Sequence, residues 1–206
     1  MKKTLYFSFL ALIGFISFAF VSPFSMPLEE LGLNKPLPEA NYKMKDVSGK
    51  EVSLNDAKTE KGLMVFFSCN TCPYVKLSES RIKELSDFCL ANGIGCIIVN
   101  SNESQRTEDD SYDEMVKYHK AQNLKCYYTV DVNSKLANAF GATRTPQCFL
   151  FNSKGLIYKG AIDDNVKDPT AVKAHYLKDA LTALTKNTTP AVQETKSIGC
   201  TIKRAE

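Results

Sequence analysis

The sequence has little excess charge of either sign, 26 lysines and arginines against 23 aspartates and glutamates, for a formal net charge of +3. No basic run follows the two N-terminal lysines, so the chain lacks an electrostatic footprint for phosphate backbones and nucleic acid is not an expected partner. Ten glycines and eight prolines carry no collagenous or low-complexity pattern. Histidine is scarce, tryptophan is absent, and no second Cys/Cys or Cys/His pair of metal-ligand spacing accompanies the single C-x-x-C, which leaves a zinc site without half its ligands. Seven cysteines are too few for a disulfide scaffold and many for a cytosolic chain, and an odd number leaves at least one without an intramolecular partner. What is present is 206 residues, 44% of them hydrophobic, enough for one compact domain.

Lys2 and Lys3 precede an uncharged apolar stretch from Leu5 to Val21, followed by Ser22, Pro23, Phe24 and Ser25. This is the charged region and apolar region of an export signal. The stretch is about the shortest that spans a bilayer, and no small-x-small cleavage site stands out, so residues 1–25 are read as a signal peptide, the favoured outcome, or an uncleaved membrane anchor. No cysteine lies near its end, so a lipid anchor is not indicated. Outside the cytoplasm thiols are not held reduced by glutathione or thioredoxin, and cysteine chemistry there needs an external redox partner. The expected location is exported, periplasmic if the source is bacterial.

The proline-rich segment to Glu39 predicts an extended lead-in that wraps the domain. Tyr42–Val47 and Glu51–Leu54, joined through Ser48-Gly49-Lys50, predict an N-terminal β-hairpin. Gly62–Phe67 and Ile94–Asn100 are continuous apolar runs expected of strands buried on both faces, and the segment between them carries Val75, Ile82, Leu85, Phe88 and Cys89 at helical spacing. That is a βαβ unit, for which a parallel pair is expected. A helix over Tyr112–Gln122, a strand over Cys126–Asp131, a short helix over Ser134–Phe140 and a hairpin of Gln147–Asn152 with Leu156–Lys159 follow. Pro169 is expected to open a last helix running to about Lys186. The fold class is therefore α/β, a central mixed, mostly parallel sheet flanked by helices, with residues 26–186 as the domain and 187–206 as a tail carrying Cys200.

Cys69 and Cys72 fall where a strand turns into a helix. Unpaired N–H groups at a helix N-terminus stabilise a thiolate, so Cys69 is expected to be the more acidic, attacking thiol and Cys72 the one that resolves a mixed disulfide. Pro73 suits the first helical turn. Cys89, Cys96, Cys126 and Cys148 fall in apolar elements and read as core residues. The run Glu108-Asp109-Asp110 reads as a helix-entry cap, Lys76 as a solvated residue one turn beyond Cys72, and His175 as a surface histidine rather than a ligand.

The C-x-x-C, the βαβ order and Thr145-Pro146 at the start of a strand together resemble the thioredoxin-like superfamily. The similarity is closer to exported, peroxiredoxin-like members of the alkyl hydroperoxide reductase/thiol-specific antioxidant (redoxin) group. It is carried by Phe67-Ser68-Cys69-Asn70-Thr71-Cys72-Pro73-Tyr74-Val75-Lys76, Asn100-Ser101-Asn102, Arg144-Thr145-Pro146, Ile162-Asp163-Asp164-Asn165 and Glu194-Thr195-Lys196-Ser197-Ile198-Gly199-Cys200. The resemblance implies a thioredoxin-like fold in which Pro146 is a cis-proline beside the C-x-x-C, preceded by Thr145, with a backbone that pairs with substrate. It also implies a tail thiol at Cys200; spacing alone leaves open whether that thiol exchanges with Cys69 or Cys72, stays mobile, or pairs between chains.

Two departures bear on the reaction. Ser68 stands where thioredoxins usually have tryptophan. Peroxiredoxins carry a threonine three residues before the peroxidatic cysteine, where this chain has Cys69 before Cys72 and Phe66 before Cys69. Arg144 is a candidate to polarise a peroxide oxygen or, equally, a loop-pairing arginine. The implied function is an exported thiol–disulfide oxidoreductase acting on protein thiols or disulfides through Cys69 and Cys72, with an external redox partner and no bound cofactor or metal. The alternative is a thiol peroxidase with Cys72 or Cys200 as resolving cysteine. A non-catalytic copper-handling protein is the remote third reading, because soft thiolates select Cu(I).

Overall fold

A computed structural model of the protein describes residues 28–205. The candidate export segment lies outside the described residues, among which no helix is long and apolar enough to cross a membrane.

Two apolar runs set the architecture. Strands β3 (Leu63–Ser68) and β4 (Gly95–Asn100) are buried at every position and pair in parallel, Leu63 opposite Gly95 through Ser68 opposite Asn100. Side chains alternate across a strand, so each run feeds two cores. Met64 and Phe66 join Ile98, Leu150 and Tyr158 on one face of the sheet, and Leu63, Val65 and Phe67 join Ile97, Val99 and Phe149 on the other. On that second face the rings of Phe67, Phe140 and Phe149 meet edge to face, with centroids 5.1–5.7 Å apart. Each such side chain contributes about 1.5–3 kcal/mol by burial.

The other strands of this sheet are β1 (Met44–Asp46), β2 (Glu51–Val52), β5 (Tyr127–Val130), β7 (Gln147–Phe151) and β8 (Leu156–Gly160), and its order is β2-β1-β5-β4-β3-β7-β8. The expected N-terminal hairpin is present, attached to the free edge of β5. The sheet is mixed but not mostly parallel: only β3–β4 and β4–β5 run parallel, whereas β1–β2, β1–β5, β3–β7 and β7–β8 are antiparallel. Of the antiparallel pairs only β1–β2 and β7–β8 are hairpins, which are antiparallel by construction, whereas the parallel pairs β3–β4 and β4–β5 are joined through helices.

Helices α1 (Leu54–Ala57), α2 (Pro73–Lys76), α3 (Glu79–Ala91), α4 (Tyr112–Ala121), α5 (Lys135–Phe140) and α6 (Tyr176–Thr185) complete the main elements. The single helix expected after the C-x-x-C is divided at Leu77–Ser78. Arg81 stabilises the break: its Nη2 donates to the Leu77 and Val166 carbonyls at 2.7 and 2.8 Å, and its Nη1 to Asp163 Oδ2 and the Asn165 carbonyl at 2.6 and 2.9 Å. The last helix also differs from expectation. Pro169 opens only one 3-10 turn, Pro169–Ala171, capped by Asp168, and α6 starts at Tyr176 after an extended stretch.

The lead-in lies across α5 and β8, where Leu31 bonds the Phe140 carbonyl and Asn34 the Leu156 carbonyl. At the other end of the chain, the two-residue strand β9 (Cys200–Thr201) pairs antiparallel with β6 (Arg144–Thr145), and Ile202 is buried against the second core.

Candidate thiol redox site

Strands β3 and β7 lie side by side with Phe67 opposite Gln147, so the turn after β3 and the loop before β7 meet at one end of the sheet. Cys69 follows the last residue of β3, Cys72 is the residue capping α2, and Pro73 fills the first helical position, where its missing N–H leaves no bond unmade. The Thr145–Pro146 peptide bond is cis. Thr145, itself buried, touches both sulfurs: its hydroxyl is 3.4 Å from Cys69 Sγ, and its carbonyl oxygen is 3.2 Å from Cys72 Sγ. Gln147 holds this loop by accepting the N–H groups of Thr143 and Arg144 at 2.8 and 3.0 Å, and is itself tied to Glu30 of the lead-in.

Cys72 is disulfide-bonded to Cys200, with Cα atoms 6.1 Å apart across 128 residues, and Cys69 is a free buried thiol. Of the alternatives open for Cys200 in the sequence, the structure places it in an intramolecular bond to Cys72.

Behind Cys69 lies a buried polar cluster. The Asn70 N–H donates to Asp110 Oδ1 at 2.8 Å, Asn100 Nδ2 donates to the same oxygen at 2.7 Å, and Asn102 Nδ2 donates to Asp110 Oδ2 at 2.8 Å. The Tyr128 hydroxyl donates to Asn70 Oδ1 at 2.7 Å. Burial, and after it the charge of Asp110, keep that phenol protonated by pushing its pKa well up. Arg106 closes the cluster by donating to the Asp110 and Asn100 carbonyls at 2.7 and 2.8 Å.

This cluster works against the acidity expected of Cys69. Burial, followed by the charge of Asp110, pushes the Cys69 thiol up; the Thr145 hydroxyl and the N–H groups of Cys72 and Thr71 favour the thiolate but offset this only in part. Cys69 lies four residues before the first residue of α2 and is 1% exposed, so desolvation outweighs the helix terminus. Its reactivity is therefore expected to climb with pH beyond the range of an ordinary thiol, about 8.5. Raising pH converts neutral thiol to nucleophilic thiolate, by about tenfold per unit below the pKa. Alkylation of Cys69 in a chain carrying Cys72→Ser and Cys200→Ser should still be accelerating at about pH 9; a plateau below pH 8 would contradict the burial argument.

A model of the Redoxin family matches residues 33–176. The chain belongs to the Redoxin family. No curated protein matches it. Among solved structures, a hypothetical protein from Sinorhizobium meliloti is similar at 27% identity and TM-score 0.75, over 82% of this chain and 94% of that one. An uncharacterized conserved protein from Geobacillus kaustophilus is similar at 27% identity and TM-score 0.74, over 82% and 93%. A thioredoxin-like protein solved in its oxidized form shares the fold at 17% identity and TM-score 0.60, over 75% and 97%. The thioredoxin-like fold and the thiol redox character of the site agree with membership in the Redoxin family.

Several residues singled out in the sequence fall elsewhere in this Redoxin protein. Arg144 is exposed and turned to the tail, its guanidinium 3.0 Å from Thr201 Oγ1 and 3.5 Å from the Gly199 carbonyl, so it meets neither sulfur of the C-x-x-C. Lys76 pairs with Glu79 at 2.9 Å and lies over the Tyr118 ring. Asp110 is not a helix-entry cap but the centre of the buried cluster, and Ser111 precedes α4. Cys89, Cys96, Cys126 and Cys148 are buried free thiols. His119 contacts the Cys126 carbonyl at 3.0 Å and His175 caps α6; among the described residues no group of three or more His, Cys, Asp or Glu could hold a metal ion. Gln147, Asp110 and Tyr128 were missed as supporting residues. Asn100, a polar residue ending a wholly apolar strand, was the available signal, because a buried amide needs partners.

Proposed function

We propose that the protein is an exported thiol–disulfide oxidoreductase that exchanges electrons with protein disulfides through Cys69 and Cys72. The observation that carries this reading is the convergence of both sulfurs on Thr145, the residue before cis-Pro146. A thiolate of the pair attacks a substrate disulfide, one substrate sulfur leaves as a thiol, and the second thiol of the pair then displaces the other. The substrate disulfide is thereby reduced to two thiols and the pair oxidised to a disulfide. Cys72 is assigned the mixed disulfide, because it is the sulfur already bonded to a partner on an added strand, and Cys69, buried behind it, resolves; this reverses the order expected from the sequence. Sulfur carries the electrons throughout, so the reaction needs no bound cofactor. Lys2, Lys3 and the apolar stretch support export, with an external redox partner resetting the pair.

One observation favours a second reading. A Cys72–Cys200 bond is also what a thiol peroxidase leaves when a sulfenic acid on Cys72 condenses with the Cys200 thiol and releases water. The experiment compares insulin disulfide reduction with hydrogen peroxide consumption, both driven by dithiothreitol. Disulfide reduction with peroxide loss at the no-enzyme rate is the expected result. Rapid peroxide turnover without disulfide reduction would replace the oxidoreductase by the peroxidase.

A further inference from the structure

The tail is attached to the site by its backbone on both sides of the reacting sulfur. Cys200 lies opposite Thr145 and Thr201 opposite Arg144 in the β6–β9 ladder. Beyond it, the Ile202 N–H donates to the Thr143 carbonyl at 3.0 Å and the Lys203 N–H to Asn102 Oδ1 at 2.9 Å. Immediately before it, Gly199 passes so close to Thr145 that a Cβ there would collide with the carbonyl oxygen, the same oxygen that Cys72 Sγ approaches. Only glycine lets the strand lie in this register. The Ile198 side chain, two residues before Cys200, adds little to this attachment, being 54% exposed. The strand partner of Thr145 is thus a segment of the chain itself, bearing a cysteine where a substrate's reacting sulfur would be.

The geometry points to Cys200 as a third exchanging thiol and to two interconverting disulfide isomers of the oxidised protein, one closed by the tail and one open; this rests on the exchange chemistry proposed for Cys69 and Cys72. In the closed isomer Cys72 is bonded to Cys200, and Cys69 is a free thiol on the other side of Thr145. Cys69 loses its proton and attacks Cys72 Sγ. The Cys69–Cys72 bond forms, the Cys72–Cys200 bond breaks, its electron pair goes to Cys200 Sγ, and the proton ends there. No electrons enter or leave, so no outside oxidant or reductant is required. The freed β9 can then detach from β6 and expose a strand edge beside the sulfurs to an extended peptide. Gly199 is the positioning residue that keeps the closed isomer populated.

The test treats the full oxidised chain with iodoacetamide, quenches with acid and maps labels and disulfides by mass spectrometry. In wild type the expected label accumulates on Cys200 as a Cys69–Cys72 disulfide appears. In Cys69→Ser the Cys72–Cys200 bond has no internal attacker, and Cys200 labelling should fall at least about tenfold. Gly199→Val should shift the isomer ratio at least about tenfold toward Cys69–Cys72, since the register it blocks belongs to the closed form alone. Cys200 labelled no faster in wild type than in Cys69→Ser would overturn the proposal, as would an unchanged ratio in Gly199→Val that retains the wild-type circular dichroism spectrum. Insulin reduction assayed on the same samples separates the two readings. Reduction that depends on Cys69 and Cys72 without any isomer exchange keeps the oxidoreductase and removes the third thiol; exchange without reduction does the reverse.

Discussion

Serine at position 72 is expected to bring insulin reduction down to the uncatalysed rate, a loss of about three orders of magnitude or more, equivalent to about 4 kcal/mol of transition-state stabilisation. The size follows from the position of Cys72 among the three thiols. It is bonded to Cys200 in the structure, and it is the other half of the C-x-x-C, so every exchange among the three passes through its sulfur. Cys200→Ser leaves the C-x-x-C pair intact and should change the rate only a few-fold. Cys69→Ser leaves attack by Cys72 intact but removes the resolving thiol, so a chain carrying both Cys69→Ser and Cys200→Ser should accumulate a mixed disulfide between Cys72 and its substrate. Intact-mass measurement after acid quench detects it. A mixed disulfide forming instead on Cys69 in the Cys72→Ser chain would restore the order of attack expected from the sequence. The variant also bears on the peroxidase reading: there Cys72→Ser abolishes peroxide turnover, whereas Cys200→Ser removes the thiol bonded to Cys72 and leaves Cys69 as the thiol that condenses with a Cys72 sulfenic acid.

What could be read from the sequence was whatever depends on neighbours along the chain. The buried runs of β3 and β4, the C-x-x-C at the strand end and the turn before β7 are local patterns, and each is found where expected. The break between α2 and α3 was not legible, because the group that stabilises it, Arg81, is anchored by Asp163 and Val166 some eighty residues on. Strand β9 was not legible for a different reason. Two residues show no periodicity, and their pairing is with a loop 55 or more residues back. The direction of the sheet followed from topology rather than composition, since buried strands read alike whether parallel or antiparallel. The groups that oppose ionisation of Cys69 were not legible either, because the helix terminus is visible in the sequence whereas desolvation and the charge of Asp110, forty residues away, are not.

Asp110→Ala is expected to cost about 3–5 kcal/mol of stability and to lower the melting temperature by about 10 °C. Asp110 has no exposed surface, and its two carboxyl oxygens accept from the Asn70 N–H, Asn100 Nδ2 and Asn102 Nδ2; alanine leaves the Asn70 N–H and Asn102 Nδ2 buried without a partner and Asn100 Nδ2 with the Tyr128 hydroxyl alone. Asp110→Asn should cost less, about 1–3 kcal/mol, because one oxygen survives to serve Asn70 and Asn100. Its new amide then faces Asn102 Nδ2, donor against donor. Turning the Asn102 amide relieves that contact only by withdrawing Asn102 Oδ1 from the Lys203 N–H, so the strain passes to the tail. Hydrogen exchange at Lys203 should consequently accelerate in Asp110→Asn well before global unfolding does. The same substitution removes the second largest influence holding the Cys69 thiol pKa up, so the thiolate fraction at neutral pH rises and alkylation of Cys69 becomes faster, not slower. Urea unfolding, exchange at Lys203 and the pH profile of Cys69 labelling read the three effects separately. An Asp110→Asn chain destabilised as much as Asp110→Ala, with Lys203 exchange and Cys69 labelling unchanged, would mean that Asp110 only fills space beneath the C-x-x-C loop and does not couple it to the tail.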